Sequence, residues 1–448
     1  MFVNCPTNFL ALNLFDFILR IKGFPIQKAK NRLKEIHTIA EEDYGLYVKK
    51  QRQDIVAFHK KNTAFYKEFI SDKPHISWNE IPVMHKRDLQ QPLKNRLSEG
   101  FTEKSVYTNK TSGSSGHPFV FAKDKWCHAL TWAIIENRFS WHGLNISRSY
   151  QARFYGIPLD PFGYVKERLK DRLSRRYRFP IFDLSEKKLE SFFQKFTKTK
   201  FDYLDGYTSS LVLFAKYLRK KNIILKEVCS SLTVCMVTSE MLFETDKKLM
   251  EKQFGVPIVN EYGASELDVI AFTNTKGEFV VNSETLFVEI LDENNHPVSH
   301  GTSGRIVITS LYNKAHPFIR YDIGDSGVLD EKSTFKKPLL KTLIGRTNDI
   351  AILPSGKVVP GLTFYYVTKS IIEESGNVKE FVITQTQKDT FEIEYVSEKP
   401  LTEKEKKEIE KALATYLETN LITILKRVPF LNRLNRGKLK QFTSKIHD

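Results

Sequence analysis

The feature that most constrains the fold is a change of hydrophobic period along the chain. Residues 125–139, 186–196 and 209–221 repeat their apolar side chains at helical spacing, whereas 201–206, 232–237 and 256–262 are short apolar runs of strand length. Helices and strands that alternate in this way bury their apolar faces by stacking in layers, so the pattern predicts an α/β architecture. Ahead of it, residues 25–70 read as largely helical, and 78–89 as a loop entering a helix. After Gly263 the character changes: 279–281, 285–291 and 304–310 are strand-like with turn residues between them, which predicts a β-rich subdomain. Past Arg346 it changes again. Strands at 350–353, 357–359, 381–385 and 390–395, with helices at 363–374 and 402–418, predict a compact α+β unit of ordinary domain size. The boundary falls in 345–349, dividing the chain into 1–345 and 346–448.

Composition narrows the function classes. With 448 residues and 41% hydrophobic content, the chain can bury a large core and needs no disulfides for stability. Cys5, Cys127, Cys229 and Cys235 are scattered with no CxxC pair, which excludes a zinc ribbon or a dithiol redox motif and reads as a reducing, cytoplasmic setting. No run of about 18 apolar residues predicts a membrane span. The formal net charge is +16. Nucleic acid, an anionic membrane face and a phosphate-rich small molecule all fit such a charge. The lysines are interspersed with glutamates along helices, as in residues 403–411, and aromatic residues do not alternate with a dense basic run. A solvated surface with a modest pull on phosphates is the better reading, and no nucleic-acid partner is expected.

One loop carries the first chemical signal. Thr111, Ser112, Gly113, Ser114, Ser115, Gly116 and His117 precede Pro118, between strand-like residues 105–108 and 119–121. Its glycines allow close approach of a ligand to the backbone, and its N–H and hydroxyl groups can cradle phosphate oxygens. No Gly-Lys-Ser/Thr closes it, so it is not a Walker loop and its counter-charge must come from elsewhere. An ordinary Ser/Gly/Pro turn has the same composition.

Four further segments are weak singly. In Asn260-Glu261-Tyr262-Gly263-Ala264-Ser265-Glu266, Tyr262 can stack a flat ring and Glu266 is a hard oxygen ligand suited to Mg²⁺. In Ile319-Arg320-Tyr321-Asp322-Ile323-Gly324-Asp325, Asp325 can accept two ribose hydroxyls. Gly345-Arg346-Thr347-Asn348-Asp349 offers a permanent cation at the domain boundary. Asn435-Arg436-Gly437-Lys438 alone reads as a basic tail.

In this order and at these separations the five segments resemble the adenylate-forming superfamily of acyl-CoA synthetases and adenylation domains over nearly the whole chain. Within it the pattern is similar to the phenylacetate-CoA ligase branch and to CapK-type proteins linked with capsular polysaccharide loci. Asn62–Tyr66 (NTAFY), Ile81–Lys86 (IPVMHK) and the missing lysine after Pro118 carry that finer likeness. The resemblance implies an adenylate-forming fold: a large N-terminal α/β domain with a β-rich subdomain, plus a small mobile α+β C-terminal domain. It implies that Thr111, Ser112, Gly113, Ser114, Ser115 and Gly116 grip the β- and γ-phosphates of ATP, and that Ser239 and Glu240 line the adenine pocket. Tyr262 would stack adenine, Glu266 would bind Mg²⁺, and Asp325 with Arg346 would hold the ribose. Asp349 would be the hinge and Lys438 the lysine bridging carboxylate and α-phosphate.

The activity implied is attack of a small-molecule carboxylate on ATP with loss of pyrophosphate, then acyl transfer to CoA or a carrier thiol. The alternative is acyl or adenylyl transfer to an amine, hydroxyl or phosphate in polysaccharide biosynthesis. In residues 352–356 (ILPSG) the chain departs from phenylacetate ligases, which bears on both the second half-reaction and the choice of an aromatic acid. The resemblance fixes no oligomeric state.

Overall fold

The computed structural model describes residues 19–71, 77–111, 119–344, 350–364, 367, 377–429, 431 and 442–446. A short antiparallel hairpin, β1 (Tyr107–Lys110) and β2 (Val120–Lys123), comes first. The central sheet follows: β3 (Gln151–Tyr155), β4 (Arg176–Pro180), β5 (Tyr203–Tyr207), β6 (Val234–Thr238), β7 (Ile258–Ala264), β8 (Asp268–Thr273) and β9 (Phe279–Val281), in the order β4-β3-β5-β6-β7-β8-β9. Its first five members in that order are parallel, and β8 and β9 add antiparallel. A four-stranded antiparallel sheet then forms from β10 (Leu286–Leu291), β11 (Gly304–Ser310), β12 (Tyr321–Leu329) and β13 (Leu340–Ile344). This is the β-rich subdomain expected after Gly263, except that 279–281 does not join it: as β9 it pairs with β8 and closes the edge of the central sheet. Beyond it β14 (Ile350–Ile352) pairs with β15 (Val358–Pro360), and β16 (Val378–Gln387), β17 (Thr390–Ser397), β18 (Ile422–Arg427) and β19 (Phe442–Ser444) form a sheet ordered β18-β17-β16-β19.

Helices cover both faces of the central sheet, as its parallel strands require. On one face Leu189, Phe192 and Phe196 of Glu186–Lys198 and Leu211, Phe214 and Leu218 of Thr208–Lys220 meet Phe154 of β3, Phe179 of β4 and Leu204 of β5. Phe154 stacks on Phe179 at 4.8 Å between ring centroids and lies edge-on to Phe192 at 5.7 Å. Gly206 permits this closeness: a Cβ there would lie 2.6 Å from the Phe154 Cβ. On the other face Ile135 and Phe139 of Lys125–Ser140 pack on Tyr203, Val234, Met236 and Val259. A second core unites Phe65 and Tyr66 of the N-terminal helices with Phe119 and Phe121 beside the hairpin, Tyr262, and the inner residues of β10–β12. A third contains only residues from 351 to 442, among them Phe364, Phe381, Phe391, Ile409 and Phe442. Among the described residues no helix is long and apolar enough to cross a membrane.

The helical stretches at 125–139, 186–196 and 209–221 and the strands at 201–206, 232–237 and 256–262 agree with the sequence reading to within about three residues. The segment 78–89 differs: it forms two 3₁₀ turns, Trp78–Glu80 and Lys86–Leu89, rather than the start of a longer helix. Capping boxes closed by Glu80 and Asp88 satisfy the local backbone donors, so a continued helix is not required there. The 345–349 boundary and most of the 363–374 helix lie outside the described residues.

A buried polar network anchors β2. His59 Nε2 meets the Asn313 carbonyl at 2.9 Å, and Asn313 Nδ2 donates to the Ala122 carbonyl at 2.9 Å. Burial lowers the His59 pKa to about 4. The unfolded chain therefore takes up this proton near pH 6.5 while the folded chain does not, so the contribution of His59 to stability falls as pH drops from about 6.5 to 4, by up to about 3 kcal/mol. Denaturation midpoints measured across that range are expected to decline, and the decline in His59→Gln should be shallower by about one proton. Phe154→Ala is expected to cost about 3–5 kcal/mol in urea denaturation. A loss below 1 kcal/mol would contradict the packing of this sheet face.

Candidate functional site

The carboxyl ends of β5–β7, the turn after β7 and the start of β12 converge on one region. In open α/β sheets this is where ligands bind. Tyr262, near the end of β7, is buried and its hydroxyl donates to Asp325 Oδ2 on β12 at 2.9 Å. Gly263 follows at a register shift between β7 and β8, where a Cβ would lie 2.6 Å from the Asp268 carbonyl. Glu266, in the turn after β7, is also buried, and the Tyr321 hydroxyl donates to its Oε1 at 2.7 Å. Lys86 Nζ stands 4.0 Å from the same oxygen, and its side chain is only 12% exposed. The structure thus brings Tyr262, Glu266 and Asp325 together across some sixty residues of sequence.

Thr111 closes the base of the hydroxyl-rich loop. Its N–H donates to the Phe119 carbonyl, and its hydroxyl accepts from the Phe119 N–H at 3.0 Å. The loop is therefore the connection of the β1–β2 hairpin. Phe119, at its far end, packs edge-on to Tyr321 with centroids 6.4 Å apart, which brings the loop's exit to the residue that holds Glu266. Lys123 on β2 is buried and ion-paired with Asp268, and its Nζ lies 3.3 Å from the Ser265 carbonyl.

At β6 the chain turns through Ser239, a non-glycine residue at φ +70°. Glu240 points its carboxylate back at the helix Thr208–Lys220, where Oε2 accepts from the Ser209 N–H at 2.7 Å, while Oε1 is buried without a hydrogen-bond partner. Burial raises the Glu240 pKa.

The strand order reverses between β3 and β5, and a polar cluster occupies that switch point. Arg153 and Asp205 are in register, with Nε 3.9 Å from Oδ2. Gln151 Nε2 donates to Asp205 at 2.7 Å, and the Tyr155 and Tyr207 rings meet at 4.5 Å. Two strands along, Glu261 accepts from the Thr238 hydroxyl at 3.2 Å. Burial, then the charge of Asp205, pushes the Glu261 pKa up to about 7. Arg153 retains 26% exposure, so the cluster still touches solvent.

Ser112, Gly113, Ser114, Ser115, Gly116, Arg346, Asp349 and Lys438 lie outside the described residues. Sequence reasoning assigned no role to Tyr321, Lys86, Lys123 or the Arg153 cluster. Tyr321 and Lys86 were already inside quoted motifs, but their contacts with Glu266 depend on long-range packing. Among the described residues no group of three or more His, Cys, Asp or Glu side chains could hold a metal ion. The single hard carboxylate of Glu266 fits Mg²⁺ in the manner in which that ion takes its other ligands from phosphates and water.

No family model matches the chain. It is 25% identical over 359 residues to Protein CapK of Staphylococcus aureus, covering 75% of this chain and 76% of that protein. Its fold is similar to crystal structures of 2-hydroxyisobutyryl-CoA ligase. One, with 2-HIB-AMP and CoA in the thioesterification state, has a TM-score of 0.56 at 15% identity over 91% of this chain and 90% of that one. Another, in the postadenylation state with 2-HIB-AMP, has a TM-score of 0.53 at 15% identity over the same shares. The chain carries the fold of these adenylate-forming ligases, and its sequence is similar to Protein CapK over three quarters of its length.

Proposed function

We propose that this protein is an AMP-forming ligase of the phenylacetate-CoA ligase branch. It activates a carboxylic acid with ATP and passes the acyl group to a thiol, CoA. The observation that carries the reading is the pair of hydroxyl–carboxylate contacts, Tyr262 with Asp325 and Tyr321 with Glu266, at the strand ends beside the phosphate-cradle hairpin.

In this reading Tyr262 stacks the adenine, Ser239 and Glu240 line its pocket, and Asp325 with Arg346 takes the ribose hydroxyls. The Thr111–Gly116 loop holds the β- and γ-phosphates. A carboxylate oxygen attacks the α-phosphorus, the bond to the bridging oxygen breaks, and pyrophosphate leaves with the electron pair. Two anions meet, so positive charge must be concentrated at the α-phosphate. Lys438 provides it as a fixed point charge, and Mg²⁺, held by Glu266, neutralises phosphate charge when bound. Tyr321 orients the Glu266 carboxylate, and Lys86 places a second cation beside it. Residues 346–448 form a separate unit with its own core, turning at Asp349, so that Lys438 can withdraw after adenylation and admit the acceptor. A cytoplasmic location fits the use of ATP and CoA.

The switch-point cluster of Arg153, Asp205 and Glu261 supports a hydrophilic acid. An aryl or alkyl chain would cover these groups without pairing them, a penalty that discriminates strongly. The second reading, transfer to an amine, hydroxyl or phosphate in polysaccharide assembly, draws on the likeness to CapK. Product mass separates thioester, amide or ester, and adenylylated products.

Pyrophosphate release across a carboxylate panel is the primary test. Lys438→Ala should lower it at least about 100-fold with an unchanged thermal transition, and wild-type release in that variant overturns the mechanism. Asp325→Ala removes both the ribose acceptor and the Tyr262 partner. It should raise the KM for ATP about tenfold or more, with a smaller effect on the KM for the acid.

A further inference from the structure

The crossover helix Pro161–Leu173, between β3 and β4, is built inside out. Its acidic residues face the protein. Asp171 is buried and pairs with Arg176 Nε at 2.5 Å and with Arg178 Nη2 at 2.9 Å, and Glu167 takes the same Arg178 Nη2 at 3.0 Å. Its apolar residues face outward: Phe162 is 80% exposed, Val165 65%, Leu169 58% and Leu173 53%. At 100° per residue these four fall on a single stripe. Lys166 and Lys170 flank that stripe on one side and Arg172 on the other. Exposed apolar residues scattered singly need no explanation, but a continuous stripe does.

We propose that this helix docks the protein on an anionic lipid bilayer, lying in the interface with its apolar stripe in the acyl boundary and its flanking cations among the headgroups. The chemistry is that of an interfacial amphipathic helix: a narrow apolar face bordered by Lys and Arg. Asp171 is neutralised inward by Arg176 and Arg178. Glu167 is paired with Arg178 and, at 2.5 Å, with Lys170, so no carboxylate of this helix faces the negative surface unpaired. Lys166 and Arg172 supply cations that Glu167 does not engage. The formal net charge of +16 adds long-range attraction of the same sign. A second copy of the chain is the poorer occupant. A two-fold contact on this stripe sets Lys166, Lys170 and Arg172 against their own copies, and a 13-residue helix is about 20 Å long, short for the roughly 800 Å² per partner of a stable interface.

The inference does not rest on the ligase reading, and its test needs no turnover. Full-length protein is floated with vesicles of equimolar phosphatidylglycerol and phosphatidylcholine, and with phosphatidylcholine alone. Binding to the anionic vesicles is expected, with little to the neutral ones and loss at high salt. The double variant Phe162→Ser, Leu169→Ser should weaken it at least about tenfold, and Lys166→Glu, Lys170→Glu should abolish the preference for anionic lipid. These side chains are exposed, and a thermal melt checks that each variant is folded. A Phe162→Trp variant gives an independent readout: its emission should shift to the blue on anionic vesicles only. Equal binding to both vesicle types, or wild-type flotation of both double variants, overturns the proposal. So does a dimer by light scattering that Leu169→Ser dissociates, since the stripe is then a self-interface.

Discussion

The structure depends on Arg320. This arginine is fully buried, at φ +45°, a backbone region that non-glycine residues enter at a cost. Its guanidinium donates to the carbonyls of Asn79 (3.0 Å), Ile81 (2.7 Å) and Asn295 (2.9 Å) and stands 3.6 Å from Glu289. Its own carbonyl accepts from the Met84 N–H at 2.9 Å. One side chain therefore ties the N-terminal segment, the loop after β10 and the start of β12. The next residue is Tyr321, whose hydroxyl fixes Glu266, and four residues further Asp325 meets Tyr262. The strained backbone is sustained because so many carbonyls converge on one permanent cation.

The sequence was legible where the folding signal is local. Residues 125–139 and 209–221 announce themselves through helical spacing, and 232–237 through an unbroken apolar run, because each is buried on the face that its own pattern specifies. The strand β3 passed unread: Gln151, Arg153 and Tyr155 face the polar cluster, so only Ala152 and Phe154 carry the apolar signal. The helix Pro161–Leu173 passed unread for a related reason, since its charges pair inward with Arg176 and Arg178, which lie on a strand not yet formed when the helix is considered alone. The strand β12 is obscured by Asp322, Gly324 and Asp325, residues that read as a turn in isolation. Residue types in the site were legible as motifs. Which hydroxyl meets which carboxylate was not, because Tyr262–Asp325 and Tyr321–Glu266 are contacts between different sheets.

Cation placement follows from the same packing. Lys123 follows the hydroxyl-rich loop in sequence, yet Asp268 and the Ser265 carbonyl occupy it. Lys86 is drawn to Glu266. These pairs hold the hairpin and the turn after β7 in place.

The inside-out helix bears on the same geometry. Pro161 follows Tyr155, the last residue of β3, by six positions, so the helix is the direct continuation of the strand that carries Arg153. A helix at this crossover ordinarily turns its apolar stripe to the sheet. Here Arg176 and Arg178 on the edge strand β4 require carboxylate partners, and a helix that supplies Glu167 and Asp171 to them must rotate its apolar residues outward. The edge strand's charge thus determines the helix's orientation, and the orientation exposes the stripe.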